Sequence, residues 1–294
     1  MAYYSHGDLD IFFKLLAENM ELVKDQLYER MLYQGSKYVY NFPILMGQKL
    51  WRGSEHLNKN DKVMEALKEG SLSIGFCGLA ECLILLTGQH HGESESSQQL
   101  GLDIIGFMRN LCDNYADESG LNYSLLATPA ESLSSKLISK DKEDFGIIPG
   151  VTDKEYYTNS FHVPVSYNIR VYDKINIEAP YHALCNAGHI SYIELDGRIS
   201  DNIPAFMTII KMMKESGIGY GAINHPLDRD PECEYNGVIE GHICPYCQRD
   251  ERDGVAFERI RRITGYLVGT LDRFNNGKAA EERDRAKHGM KKED

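Results

Sequence analysis

Over some stretches of this 294-residue chain, apolar residues recur at helical spacing. Over others they bunch into short runs closed by glycine, and the alternation of the two marks an α/β fold. Composition agrees, because 42% hydrophobic with 26% charged residues is enough to build a substantial core. From Asp8 to about Gly35, the positions of Ile11, Phe12, Leu15, Leu16, Met20, Leu22, Val23 and Leu27 predict an amphipathic helix. Leu72 to Phe76 is short and apolar and runs toward Gly78, which suits a buried strand entering a turn, and Leu79 to Leu86 reads as the helix that follows. The stretch "SQQLGLDIIGFMRNLCDNYADESG" predicts a second long amphipathic helix, closed by Gly120. Tyr123 to Leu126 is a short strand candidate that runs into Thr128-Pro129-Ala130-Glu131. That tetrapeptide has the chemistry of a helix start, since threonine caps well and proline is tolerated in the first turn. The polar, irregular region from Asn224 to Gly254 reads as a linker-like module between the α/β body and the C-terminal segment.

A formal charge of −12 and a pI near 5.3 argue against nucleic acid as a primary partner, because phosphate backbones need a basic surface. No apolar run reaches the length of a membrane span, and "MAYYSHGDLDIFF" lacks the regions of a signal peptide, so a cytoplasmic location is expected. Seven cysteines, an odd number, point to metal or redox chemistry before a disulfide framework.

The strongest metal signal is "HPLDRDPECEYNGVIEGHICPYC". Cys244-Pro-Tyr-Cys247 forms a knuckle whose two thiolates converge on one tetrahedral ion, usually zinc. Alone, this motif also suits a redox pair. Cys233 adds a third thiolate, and position 230, where a second knuckle would place its first cysteine, is Asp. His225 is the favoured fourth ligand, with His242 and Asp230 behind it.

Near the C-terminus, Gly265 sits among large apolar neighbours in Ile263-Thr264-Gly265-Tyr266-Leu267, after Arg259, Arg261 and Arg262. A bulge or close backbone approach in a strand is the plain reading of such a glycine, and a solvated or salt-bridged face is the plain reading of the arginines. "SIGFCGLAE", "NYSLLATPAES", "FGIIPGVTDKEYYTNSFHVPV", "EAPYHALCNAGHISYIELD" and "RRITGYLVG…RFNNGK" together give a more specific one. In that order they resemble the C-terminal half of the anaerobic (class III) ribonucleotide reductases, which are glycyl radical enzymes. The resemblance runs from Asp8 to His288.

On this resemblance Gly265 matches the glycine that stores the radical. The chemistry suits glycine, because an α-carbon radical delocalises into the flanking amides only if the centre flattens, and any side chain crowds that geometry. Ile263, Tyr266 and Leu267 would shield it. The family replaces the ribose 2′-hydroxyl of a ribonucleotide with hydrogen to make deoxyribonucleotides for DNA synthesis. The stored radical passes to a cysteine, and the thiyl radical abstracts the 3′-hydrogen. No cysteine here matches that thiyl position, and Cys77 and Cys82 read as core residues.

The family fold is a ten-stranded α/β barrel built from two five-stranded halves. This chain is expected to supply the second half over residues 1–222, then a zinc-binding module over 223–249 and the glycyl radical loop and tail over 250–294. It reads as one piece of a split enzyme or a truncated product. Implied partners are the N-terminal half carrying the thiyl cysteine and an activase, which alone would hold the iron–sulfur cluster and S-adenosylmethionine. An ordinary capped helix, with Glu131 in the cap, is the plain reading of the helix start, but the resemblance makes Ala127, Thr128, Ala130, Glu131 and Ser132 the candidate substrate-phosphate site, through backbone N–H groups and the Thr128 and Ser132 hydroxyls, with Asn122 and Ser124 lining the same pocket. The alternative is a catalytically incomplete half-enzyme acting as a zinc-stabilised binding or structural protein.

Overall fold

The computed structural model describes residues 1–197, 199–263 and 266–288. In chain order its first elements are α1 (Ala2–Ser5), α2 (Leu9–Gly35), α3 (Met64–Leu67), β1 (Ser71–Phe76), α4 (Leu79–Thr87), α5 (Glu95–Ser119), β2 (Asn122–Ala127), α6 (Glu131–Phe145) and α7 (Val171–Leu184). There follow β3 (Ser191–Glu194), α8 (Ile203–Glu215), β4 (Gly221–Asn224), β5 (Leu227–Arg229), β6 (Asn236–Gly237), β7 (Glu258–Ile263), β8 (Tyr266–Val268) and α9 (Asn276–Asp284). The expected α/β content is present. α2 begins at Asp8, whose carboxylate accepts from the Ile11 N–H at 3.0 Å, and α5 ends at Gly120, whose φ of 67° lies in the left-handed region that glycine adopts without strain. α6 starts later than the sequence suggests. Its N-cap is Ala130, and Pro129 stands outside the first turn.

β1 pairs with β2, β3 pairs in parallel with β4, and an antiparallel sheet runs in the order β6-β5-β7-β8. A continuous five-stranded half-barrel is not seen among the described residues. The chain between β2 and β3 forms α6, an irregular loop and α7, which insert no strand into the row.

The chain divides into two compact units, one of residues 1–76, 102–126 and 184–188, the other of 77–101, 127–183 and 189–294. In the first, Val39, Met46, Val63 and Ala66 are buried together, and Trp51 packs on them while its indole N–H donates to the Ala66 carbonyl at 2.8 Å. In the second, β3, α8 and β4 form a parallel crossover whose core is Ile175, Ile193 and Met213, with Ile209, Met212 and Ile223 against it. Each fully buried aliphatic side chain of this kind contributes about 1.5–3 kcal/mol. Asn202 caps α8 by accepting from the Ala205 N–H. No helix among the described residues is long and apolar enough to cross a membrane.

The second unit also buries charge and imidazole. Glu178 is fully buried against Lys174 and 3.5 Å from His162. Burial opposes its ionisation, but those two neighbours win and hold its carboxyl well below the usual range. Burial also lowers His91 and His288 to about 3 and His182 to about 4, so all three are neutral near pH 7. The unfolded chain would protonate them near pH 6.5, whereas the folded chain resists down to those lower values. Stability is therefore expected to fall as the pH drops below about 6.5, by up to about 1.4 kcal/mol per pH unit for each histidine. Urea unfolding at pH 7 and pH 5, with bound metal measured at both, checks this. Equal midpoints would contradict it.

Candidate functional site

The structure brings four donor side chains together in the second unit: Asp230, Cys233, Cys244 and Cys247, with all ligand atoms within 4.8 Å of one another. Cys233 Sγ is 3.6 Å from Cys244 Sγ, and Cys247 Sγ is 3.4 Å from Asp230 Oδ2. Tetrahedral zinc with thiolate bonds near 2.3 Å separates its ligand atoms by about 3.8 Å, so this donor set fits such an ion. His225 lies outside the cluster, with its Nδ1 3.1 Å from the Pro226 carbonyl. His242 is engaged with Glu251 at 2.8 Å.

Two similar turns build the cluster. Glu234 N–H donates to the Asp230 carbonyl at 2.9 Å, and Gln248 N–H to the Cys244 carbonyl at 3.0 Å. Glu234 and Gln248, each the residue after a cysteine, both adopt a left-handed backbone, with φ of 60° and 65°. Asp-x-x-Cys thus copies the backbone path of Cys-x-x-Cys, and Asp230 occupies the place equivalent to Cys244. The sequence signal for this ligand was the spacing to Cys233. The part it did not disclose is Arg249, which donates to both Asp230 carboxylate oxygens and holds that carboxyl well below its usual range. Burial pushes the Cys244 thiol up, but the backbone N–H groups of Cys247 and Tyr246 bring it below the ordinary value, which favours the ligating thiolate.

The cluster is tied into the four-stranded sheet. Asp228, fully buried on β5, accepts from the Ile239 N–H at 2.8 Å and pairs with Arg261 of β7 at 2.7 Å. Arg259 meets Glu251 at 2.8 Å, and the Arg262 guanidinium stands 5.6 Å from the Tyr192 ring centroid. Arg259 and Arg261 are therefore salt-bridged.

β7 and β8 pair with Ile263 opposite Tyr266 and Arg261 opposite Val268. Gly265, with Thr264, lies outside the described residues. Ile263 is fully buried, whereas Leu267 is 70% exposed on the outermost strand of the sheet.

Around the candidate phosphate loop, Ala127 and Ala130 are buried and Ser132 is exposed. Ala130 N–H donates to Asn159 Oδ1 at 2.7 Å and Glu131 N–H to the Pro129 carbonyl at 2.9 Å, so two of the loop's donors are already engaged. Thr128 lies between Ala127 and Pro129 with its side chain half-buried. Asn122 and Ser124 belong to the first unit, where the Ser124 hydroxyl sits 3.1 Å from that of Ser73 and Asn122 reaches the Glu69 carbonyl at 3.4 Å. Cys112 and Cys185 are buried and Cys77 and Cys82 half-buried, and desolvation pushes all four thiols up to about 12, so none is a ready nucleophile near pH 7. His182 is a satisfied core residue, its Nε2 2.9 Å from Ser191 Oγ and its Nδ1 accepting from the Gly219 N–H.

A family model described as anaerobic ribonucleoside-triphosphate reductase matches residues 1–288. The anaerobic ribonucleoside-triphosphate reductase of Salmonella typhimurium is 36% identical over 98% of this chain and 41% of its own length. That of Escherichia coli K12 is 35% identical over the same shares, and that of bacteriophage T4 is 32% identical over 94% of this chain and 44% of its own. Among solved structures, an anaerobic ribonucleotide reductase superposes with a TM-score of 0.73 at 21% identity, over 97% of this chain and 43% of that one. The Thermotoga maritima anaerobic ribonucleotide reductase with dATP bound in the specificity site gives 0.68 at 21%, over 93% and 42%. These structures share the fold. The chain spans about two fifths of the length of the curated relatives it matches and corresponds to a C-terminal part of them.

Proposed function

This chain belongs to the anaerobic ribonucleoside-triphosphate reductase family, and from that premise we propose that it is the radical-bearing part of a cytoplasmic oxidoreductase that converts ribonucleotides to deoxyribonucleotides. The carrying observation is that nearly the whole chain matches two fifths of enzymes named for that reaction. Gly265 stores the radical, and a separate stretch of reductase supplies the thiyl cysteine. No cysteine of this chain matches the thiyl position of the family, which accords with this division of labour.

Asp230, Cys233, Cys244 and Cys247 would hold zinc, with Arg249 orienting the carboxylate. The ion would cross-link the two turns that carry Asp230–Cys233 and Cys244–Cys247 and take no part in the reaction. Ala127, Thr128, Ala130, Glu131 and Ser132 would position the substrate phosphates, with the hydroxyls of Thr128 and Ser132 and the Ser132 N–H as donors, and Asn122 and Ser124 are proposed as substrate contacts of the first unit. Asn159 positions this loop through the Ala130 N–H, and its own amide lies 3.5 Å from Glu281 of α9. Among the described residues β1 and β4 each stand at an edge of their sheet, which suits completion by further strands, whereas β2 already bridges Gly188 on its other side.

The isolated chain, activated anaerobically by a radical S-adenosylmethionine activase, is expected to reduce no ribonucleotide. Adding the remaining part of the reductase, with its thiyl cysteine, should restore turnover. Turnover by this chain alone would overturn the reading, as would failure of the combined parts when the radical is detectable.

A further inference from the structure

An open groove of about 300 Å³ lies in the second unit beside the β7–β8 hairpin. One wall is formed by Glu194 and Asn224, the last residues of the parallel strands β3 and β4. The carboxyl ends of parallel strands are where α/β sheets usually receive ligands. The other walls carry four basic side chains, Arg261, Arg262, Arg285 and Lys287, against two acidic ones, Glu194 and Glu282.

The two carboxylates are already engaged. Glu194 Oε1 accepts from Asn224 Nδ2 at 2.8 Å and pairs with Arg285 at 3.1 Å, and Glu282 lies 3.4 Å from Arg261. Arg261 is further neutralised by Asp228 at 2.7 Å, a residue behind the lining. Counting Asp228, positive charge still exceeds negative by one, in a chain whose formal charge is −12. A second observation points the same way. Arg285 directs one terminal nitrogen to the Arg262 carbonyl and to Glu194, but its Nε is buried with no hydrogen-bond partner. A buried guanidinium N–H left unmatched is costly, and a bound acceptor would relieve it. His225, outside the metal cluster, also lines the groove, and the exposed Lys287 is a flexible cation at its rim.

We propose that this groove is an anion site that takes a phosphate group, either free or at the end of a nucleotide. The site is distinct from the helix start at Ala127–Ser132, and an anion there would tie the hairpin to the ends of β3 and β4. Phosphate matches the lining because its several acceptor oxygens can meet the Arg285 guanidinium and Lys287 at once.

The Arg285 Nε–H resonance, assigned in the NMR spectrum of the zinc-loaded chain by its loss in Arg285→Lys, reads the site directly and needs no radical. Adding inorganic phosphate at low ionic strength should move this resonance saturably. The apparent affinity should weaken about fivefold in Lys287→Gln, which removes an exposed charge without disturbing the core. Titration with a nucleoside triphosphate forms the second arm. Tighter binding than phosphate assigns a nucleotide to the groove, and equal binding assigns free phosphate. A resonance that does not move with either ligand, or a shift indifferent to Lys287→Gln, would overturn the proposal.

Discussion

Replacing Gly265 by alanine is expected to abolish the radical altogether. Anaerobic activation of the unaltered chain should give a doublet electron paramagnetic resonance signal, split by the one hydrogen left on the α-carbon, and deuteration there should collapse the splitting. A Cβ crowds the planar centre that delocalises the unpaired electron, so the variant should show no signal. Metal content and unfolding midpoint should change little, because neither the Asp230, Cys233, Cys244 and Cys247 cluster nor the described core includes this residue. If Gly265 were only a glycine required by backbone conformation, alanine would cost stability and neither protein would form a radical. An undiminished signal in Gly265→Ala would place the radical elsewhere.

Removing one thiolate of the metal cluster should have the next largest effect. Cys244 is fully buried and packs with Ile239 and Phe257, the three buried residues of the module's core. Such a core supplies roughly 5–9 kcal/mol before chain entropy is subtracted, whereas structural zinc supplies about 10–16 kcal/mol in small domains. A bound zinc would therefore decide whether the module folds. Metal analysis should find about one zinc per chain, near zero in Cys244→Ser, and the segment from Asp228 to Phe257 should become sensitive to protease. Asp230→Ala should weaken binding and His225→Ala should leave it unchanged. Zinc retained in Cys244→Ser, or lost in His225→Ala, would refute the assignment.

Much of the local structure was legible from the residues alone. The spacing of Phe12, Leu16 and Met20 marked the buried face of α2, although Ile11 and Leu22, read with them, are exposed; Asp8 stands at its start, and Gly120 marked the end of α5. The three thiolates were likewise legible, because a Cys-x-x-Cys turn closes over four residues. Periodicity, caps and knuckle turns depend on contacts within about one turn of chain, and sequence records those directly. The order of motifs around Ala127–Ser132 and Gly265 carried the family in the same way, since shared ancestry is written in residues.

Tertiary structure alone settled which partner each polar group found. Position 230 was visible as the place of a missing cysteine, yet the choice of Asp230 over His225 required the path of β5 and the pairing of Asp230 with Arg249, nineteen residues away. The Ala130 N–H meets Asn159, twenty-nine residues distant, which moves the start of α6 past Pro129 and leaves fewer donors for an anion. Arg261 and Arg262 lie side by side in sequence, but one is spent on Asp228 and the other stands by the Tyr192 ring, while both line a groove that also gathers Arg285 and Lys287. Hydrogen bonds and ion pairs of this range have no period in the sequence. Chain reversals bring their partners together, and the cost of leaving a buried donor or charge unmatched selects among the arrangements that packing allows.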